Sequence, residues 1–222
     1  MTVDKPPKTQ SQAATTSLED LQDRILSSDL IPSHEPLRDG LAKKLAAIQA
    51  VGVQNAAELL VTLKSARSSA ALASSTGVDL TYLQLLRRAI NGFFPKPRPL
   101  KDIDWLGDDA VASLATAGIK NTGQLFEAAS DPVALTQQTG LQHKTLDEMV
   151  AIADLCRIQW VSPGFARVLV AVGLRTASEV ARTDPDALCA AIAATNAEAK
   201  FYKGKVGLRD VKRLVKAAAY VP

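Results

Sequence analysis

Two seventeen-residue stretches of the chain repeat each other: residues 103–119 read IDWLGDDAVASLATAGI and residues 158–174 read IQWVSPGFARVLVAVGL. Ile103 and Ile158, Trp105 and Trp160, Leu106 and Val161, Gly107 and Ser162, Leu114 and Leu169, Gly118 and Gly173 fall at matching places. Self-similarity of this kind restricts the fold to stacked units, because one short unit cannot bury its apolar face alone. The pattern extends to three units. The first carries Gly52-Val53, Glu58-Leu59-Leu60, Leu72 and Thr76-Gly77-Val78. The second carries Gly118-Ile119, Gln124-Leu125-Phe126, Leu135 and Thr139-Gly140-Leu141. The third carries Gly173-Leu174, Glu179-Val180-Ala181 and Leu188. The leading glycines lie 66 and 55 residues apart, so the units are uneven but ordered.

The units are helical. Of 222 residues, 47% are hydrophobic and only 5% aromatic, and Ala and Leu lose little on entering a helix. Ser17 with Asp20 predicts a capping box ahead of a Leu18, Leu21, Ile25 stripe. Asp131-Pro132 and Asp184-Pro185 each predict a helix start, with the Asp as cap and the Pro in the first turn. Gly52, Gly118 and Gly173 read as helix-ending glycines in the left-handed conformation.

Residues 1–16 are polar and without periodicity and read as a disordered tail, followed by a helical domain over 17–94. Three prolines between Pro95 and Pro99 make residues 95–102 an extended, semi-rigid linker, leaving 103–222 as a second domain with two units. The expected fold is all-α, in two domains of tandem units.

Between Trp105 and Asp108, and between Trp160 and Pro163, the chain bends into a new helix. A glycine-containing bend between two short helices can hold a phosphate on its free N–H groups. At these bends the chain resembles the helix-hairpin-helix superfamily. It resembles more closely the family called domain of unknown function 4332, built from degenerate helix-hairpin-helix units. The likeness covers roughly residues 100–220 and rests on residues 103–119, the run 153–158, Val161-Ser162-Pro163, Gly173, Asp184-Pro185 and Asn196. It implies a nucleic-acid-binding role. Residues 36–94 read as a more diverged copy, with no recognisable hairpin near Gly40-Leu41. Here Trp105 and Trp160 stand where a binding hairpin has its first glycine, Ser162 replaces the second in one unit, and Asp108 sets a negative charge beside the other. A tryptophan there hinders close approach of backbone to phosphate. Trp105, Gly107, Trp160, Ser162 and Pro163 are the bend candidates, with both tryptophans expected as core anchors and an exposed stacking or partner surface as the second reading.

Net charge is +3, but seven basic residues and one acid between Lys200 and Pro222 give +6 there and leave −3 before it. Such polarity points to an anionic partner. The candidates for phosphate contact are Lys203, Lys205, Arg209, Lys212, Arg213 and Lys216, flanking an apolar face of Leu208, Val211, Leu214 and Val215, with Lys96, Arg98 and Lys101 from the linker. Arg87 and Arg88 read as solvated flanks of a buried Leu83, Leu86, Ile90 stripe.

No catalytic constellation is present. His34 and His143 stand apart from any ligand cluster, and Cys156 and Cys189 read as reduced core residues. The expectation is therefore a non-enzymatic binding module without cofactor or small-molecule substrate. Its partner is nucleic acid, or else a protein held by a helical-repeat scaffold. With no apolar run of membrane length and no signal-peptide centre, a cytoplasmic location follows by default.

Overall fold

A left-handed glycine ends one helix, an aliphatic residue turns inward, and a capped short helix begins: this course recurs three times. The computed structural model describes residues 12–221, and every named element among them is helical. The chain is all-α and divides into two compact units that meet between Phe94 and Pro95.

The first unit holds α1 (Gln12–Thr15), α2 (Leu18–Ser27), a 3-10 turn (Pro32–Arg38), α3 (Leu41–Ala50), α4 (Ala56–Thr62), α5 (Ala66–Thr76) and α6 (Leu80–Phe93). The second opens on two 3-10 turns (Leu100–Asp102 and Asp104–Leu106). It continues with α7 (Asp108–Thr116), α8 (Thr122–Ala128), α9 (Pro132–Thr139), α10 (His143–Leu155), α11 (Pro163–Ala171), α12 (Ala177–Ala181), α13 (Pro185–Ala199) and α14 (Leu208–Ala218). α3–α6, α7–α10 and α11–α14 are three successive groups of four helices, referred to below as modules, in each of which the second helix is short.

The modules share their local chemistry. Gly52, Gly118 and Gly173 have φ of +98°, +84° and +100°, where a β-carbon would be strained. The amides of Ile119 and Leu174 then reach back to the carbonyls of Leu114 and Leu169 at 2.8 and 2.9 Å, closing the helix ends. Asn55, Asn121 and Thr176 cap the short helices α4, α8 and α12. Three residues on, Glu58, Gln124 and Glu179 accept from the amides of Gln54, Lys120 and Arg175 at 2.7, 2.8 and 2.6 Å. The first amide of each short helix also finds an acceptor outside the helix. For Ala56 and Thr122 it is the carbonyl of Thr16 or Arg98, at 3.0 and 2.9 Å. For Ala177 it is the carboxylate of Asp154, at 3.2 Å.

The Glu179 cap predicts a pH dependence. Donation by the Arg175 amide, and then by that of Thr176, holds the Glu179 carboxyl below its ordinary value against partial desolvation. The folded state thus favours the ionised form. Its contribution is present at neutral pH, above the unfolded value, and is lost as pH falls through the folded value. Glu179→Gln, the residue the second module carries as Gln124, is expected to lose less of its melting temperature than wild type between pH 7 and pH 4. Parallel losses in the two proteins would refute the coupling.

Two departures from the sequence reading come from the extended segments. The tail expected over 1–16 falls outside the described residues up to 11, but Gln12–Thr15 is a helical turn with Ala13 in the core. Thr16 and Ser17 then lie against the start of α4, which gives this part of the tail a fixed place. Likewise the proline segment read as a linker is bound into the second unit from Pro97 onward. The Arg98 amide donates to Thr122 Oγ1 at 3.0 Å, the Leu100 amide donates to the Lys120 carbonyl at 3.0 Å, and the Leu100 side chain is buried. Pro97 lies so close to Gly123 that a β-carbon there would sit 2.8 Å from its ring.

α6 and α10 are the apolar spines. In α6, Leu83, Leu86 and Ile90 are fully buried. Every residue from Ala151 to Cys156 is buried, because α10 faces two cores. Leu146, Met149 and Ala153 pack with α7 and α8, whereas Ile152 and Leu155 pack with α11–α14. In the first unit Arg24 is 2% exposed on the inner face of α2. It donates to the Phe93 carbonyl at 3.1 Å and lies 4.5 Å from the centre of that residue's ring, which satisfies a charge that could not otherwise be buried.

Candidate functional site

The two tryptophan bends match in sequence and differ in backbone. Trp105 lies in the 3-10 turn Asp104–Leu106, and Gly107, at φ +81°, leads into α7. In the later bend the positive φ falls on Trp160 itself, at +68°, a conformation that costs an L-residue roughly 1–2 kcal/mol. Its neighbours Ile158 and Val161 take the core positions and the Trp160 ring turns outward, 61% exposed. The expectation that Trp160 anchors the core is therefore overturned. Trp105 is half-buried against the α7–α8 core, with Nε1 buried and unpartnered and the Arg167 guanidinium 5.2 Å from its ring centre.

Neither bend offers a phosphate site of the usual kind. Asp108 and Asp109 occupy the first turn of α7, where their negative charge opposes an anion. Ser162 caps α11 by accepting from the Phe165 amide at 3.3 Å, and Pro163 has no N–H to offer.

The loop between α13 and α14 is brought to the second bend by specific contacts. Lys200 turns the chain at φ +53°. Asn196 then clamps Tyr202 from both sides, donating to its carbonyl at 2.7 Å and accepting from its amide at 3.0 Å. The Tyr202 ring meets Phe165 of α11 at 5.1 Å. Gly204 passes beneath that ring, where a β-carbon would collide with it. The carbonyl of Phe201 lies 3.1 Å from where a β-carbon on Gly164 would be, so loop and helix start are in close approach.

Between them runs a groove of about 260 Å³, lined by Gln159, Trp160, Phe165, Tyr202, Lys205, Val206, Asp210, Arg213 and Leu214. It unites residues that the sequence reading kept in separate groups: Trp160 from the bend, and Lys205 and Arg213 from the basic tail. The Arg213 guanidinium lies 6.0 Å from the Trp160 ring centre. Gln159, Phe165, Tyr202 and Asp210 were not among the sequence candidates. A buried glutamine between Ile158 and Trp160 carries no periodic signal, and Asp210 reads simply as a helix-start acid, which it also is, accepting from Gly207 N at 3.0 Å. Lys203, Arg209, Lys212 and Lys216 are exposed on the same loop and helix outside the groove lining. Lys96, Arg98 and Lys101 are exposed on the segment that precedes α7, and the groove does not include them.

α14 buries Val211, Leu214, Ala217 and Ala218. Leu208, expected on that face, is exposed in the first turn, and Val215 is only half-buried. Cys156 and Cys189 are both free thiols, and burial pushes that of Cys156 up to about 12, which removes it as a nucleophile at neutral pH. His143 Nδ1 pairs with Asp147 at 2.8 Å on the exposed face of α10. No group of three metal-ligating side chains occurs among the described residues, and no helix among them is long and apolar enough to cross a membrane.

Fold and groove together define a class: an all-α protein whose last four helices present an aromatic and cationic groove. Residues 105–221 match the family described as Domain of unknown function (DUF4332), and the chain belongs to that family. The matched region runs from Trp105 through α14 and contains both bends and the whole groove. No curated protein and no solved structure matches the chain.

Proposed function

We propose that this protein is a non-enzymatic binding module that takes nucleic acid at its last module. The observation that carries the reading is the meeting of an exposed indole with Lys205 and Arg213 in one groove. Lys203 and Lys212 extend the positive field on the same loop and helix, and neither they nor Lys205 has an ion-pair partner among the described residues. A cationic surface with an aromatic face is the chemistry of a phosphate backbone with accessible bases. In this reading the bends entering α7 and α11 are degenerate helix-hairpin-helix elements. Asp108, Asp109 and Pro163 have closed them to phosphate, and the anion contacts have moved to the C-terminal loop and helix. The competing reading, a protein scaffold, draws on apolar exposure such as Val133 of α9 at 67%.

Fluorescence anisotropy of labelled single-stranded and duplex DNA at two salt concentrations separates these readings. Nucleic-acid binding is expected to weaken steeply with salt. Replacing Lys203, Lys205 and Lys212 by Gln should lower the logarithmic salt slope for a single strand by about 2, at roughly 0.7 per lost phosphate contact. No binding at low salt would reject the nucleic-acid reading in favour of the scaffold.

A further inference from the structure

We infer that the groove is a slot for one unpaired base, stacked on Trp160, so that the protein selects single-stranded over duplex nucleic acid. This rests on the nucleic-acid reading and goes beyond it. Packing gives no reason for a tryptophan at position 160. Its ring is outside the core, its backbone is in a conformation that suits glycine, and the residues flanking it supply the burial. A strained residue kept with its aromatic face in solvent points to a ligand for that face.

Gln159 is the second and independent observation. It is 7% exposed, lines the groove, and makes no side-chain hydrogen bond among the described residues. Its amide, accessible at the groove and without a partner in the protein, retains an unused acceptor and donor pair, and the edge of a nucleobase presents the complementary pair. Asp210 argues for a neutral base rather than a phosphate at this place, since an acidic residue is part of the lining. The groove, about 260 Å³, falls just under the range of pockets for drug-sized ligands, which leaves room for one planar group with its backbone outside. Lys203 and Lys212, exposed beside it, can meet that backbone. In a duplex the base faces are covered by their neighbours, so binding there requires a base to be extruded at added cost.

The test is a titration of full-length protein with oligothymidylate and with a duplex of the same length. It compares wild type, Trp160→Gly, Trp160→Phe, Gln159→Leu and the Lys203, Lys205, Lys212 triple Gln variant. Wild type is expected to prefer the single strand. Trp160→Gly should bind it roughly 10- to 100-fold more weakly, the loss of one base–aromatic stack. Its salt slope, its duplex affinity and its melting temperature should not fall, because glycine suits the backbone at 160. Trp160→Phe should recover most of the affinity, and Gln159→Leu should weaken single-strand binding with little change in salt slope. If Trp160→Gly binds the single strand as wild type does while the lysine variant does not, the slot is refuted and the nucleic-acid reading stands. Equal affinity for duplex and single strand likewise overturns the slot. If no form binds nucleic acid, the underlying reading fails, and the groove is better assigned to a protein side chain.

Discussion

A chain ending at Ala199 is expected to lose the folded third module. α14 is a structural helix as well as a carrier of charge. Val211 and Leu214 are buried among α11–α13, together with Ala217 and Ala218. Burial of a Val and a Leu contributes about 3–6 kcal/mol, and their removal also uncovers Val180, Leu188 and Ile192 on the facing helices. That compares with a total stability of about 5–15 kcal/mol for an ordinary domain. Amide-exchange protection over α11–α13 should therefore collapse in the truncated chain. Full native protection there would show α14 to be an appendage. The same arithmetic bears on function: a loss of binding after truncation would report unfolding, so neutral substitutions at Lys203, Lys205 and Lys212 are the cleaner test of the basic surface.

Asp154→Ala is expected to destabilise the second unit by about 3 kcal/mol, the typical cost of breaking one side of a buried charged pair. Asp154 is 8% exposed, and its carboxylate accepts from Arg157 at 2.7 Å and from the amide of Ala177 at 3.2 Å. Arg157 in turn lies 3.8 Å from the centre of the Phe126 ring, so the Asp154–Arg157 pair joins α8, α10 and α12. The first two modules meet the equivalent amide with a backbone carbonyl from an extended segment. Before the third module the chain is already helical, its carbonyls are committed within α10, and a side chain must replace them. Thermal unfolding should show a fall of roughly 10 °C in the transition of this unit. Asp154→Asn, which keeps one acceptor, should fall between. An unchanged transition in Asp154→Ala would remove the proposed role of this contact in joining the modules.

Much of the helical frame could be read from the chain alone, and the residues show why. Ser17 with Asp20, Asp131-Pro132, Asp184-Pro185 and the left-handed Gly52, Gly118 and Gly173 all act within one turn of themselves, and each is found doing so. The repeat in the sequence corresponds to a repeat of those same caps, because a hydrogen bond from residue n to n+3 needs nothing from elsewhere in the fold.

The groove was not legible in this way. Trp105 and Trp160 are indistinguishable by pattern, yet one is half-buried and the other stands in solvent. The difference lies in a single backbone angle and in which neighbours claim the core, and both depend on how α10, α11 and the 200–207 loop pack. The same holds for the cations. Lys205 and Arg213 reach the groove only because the Asn196 clamp on Tyr202 folds the loop over Phe165, while Arg98, equally basic, is held at α8. Caps and helix ends depend on atoms a few bonds apart, so the order of residues suffices to place them. A site made of residues 159, 160, 165, 202, 205, 210 and 213 depends on surfaces meeting across tens of residues of chain, which no local pattern encodes.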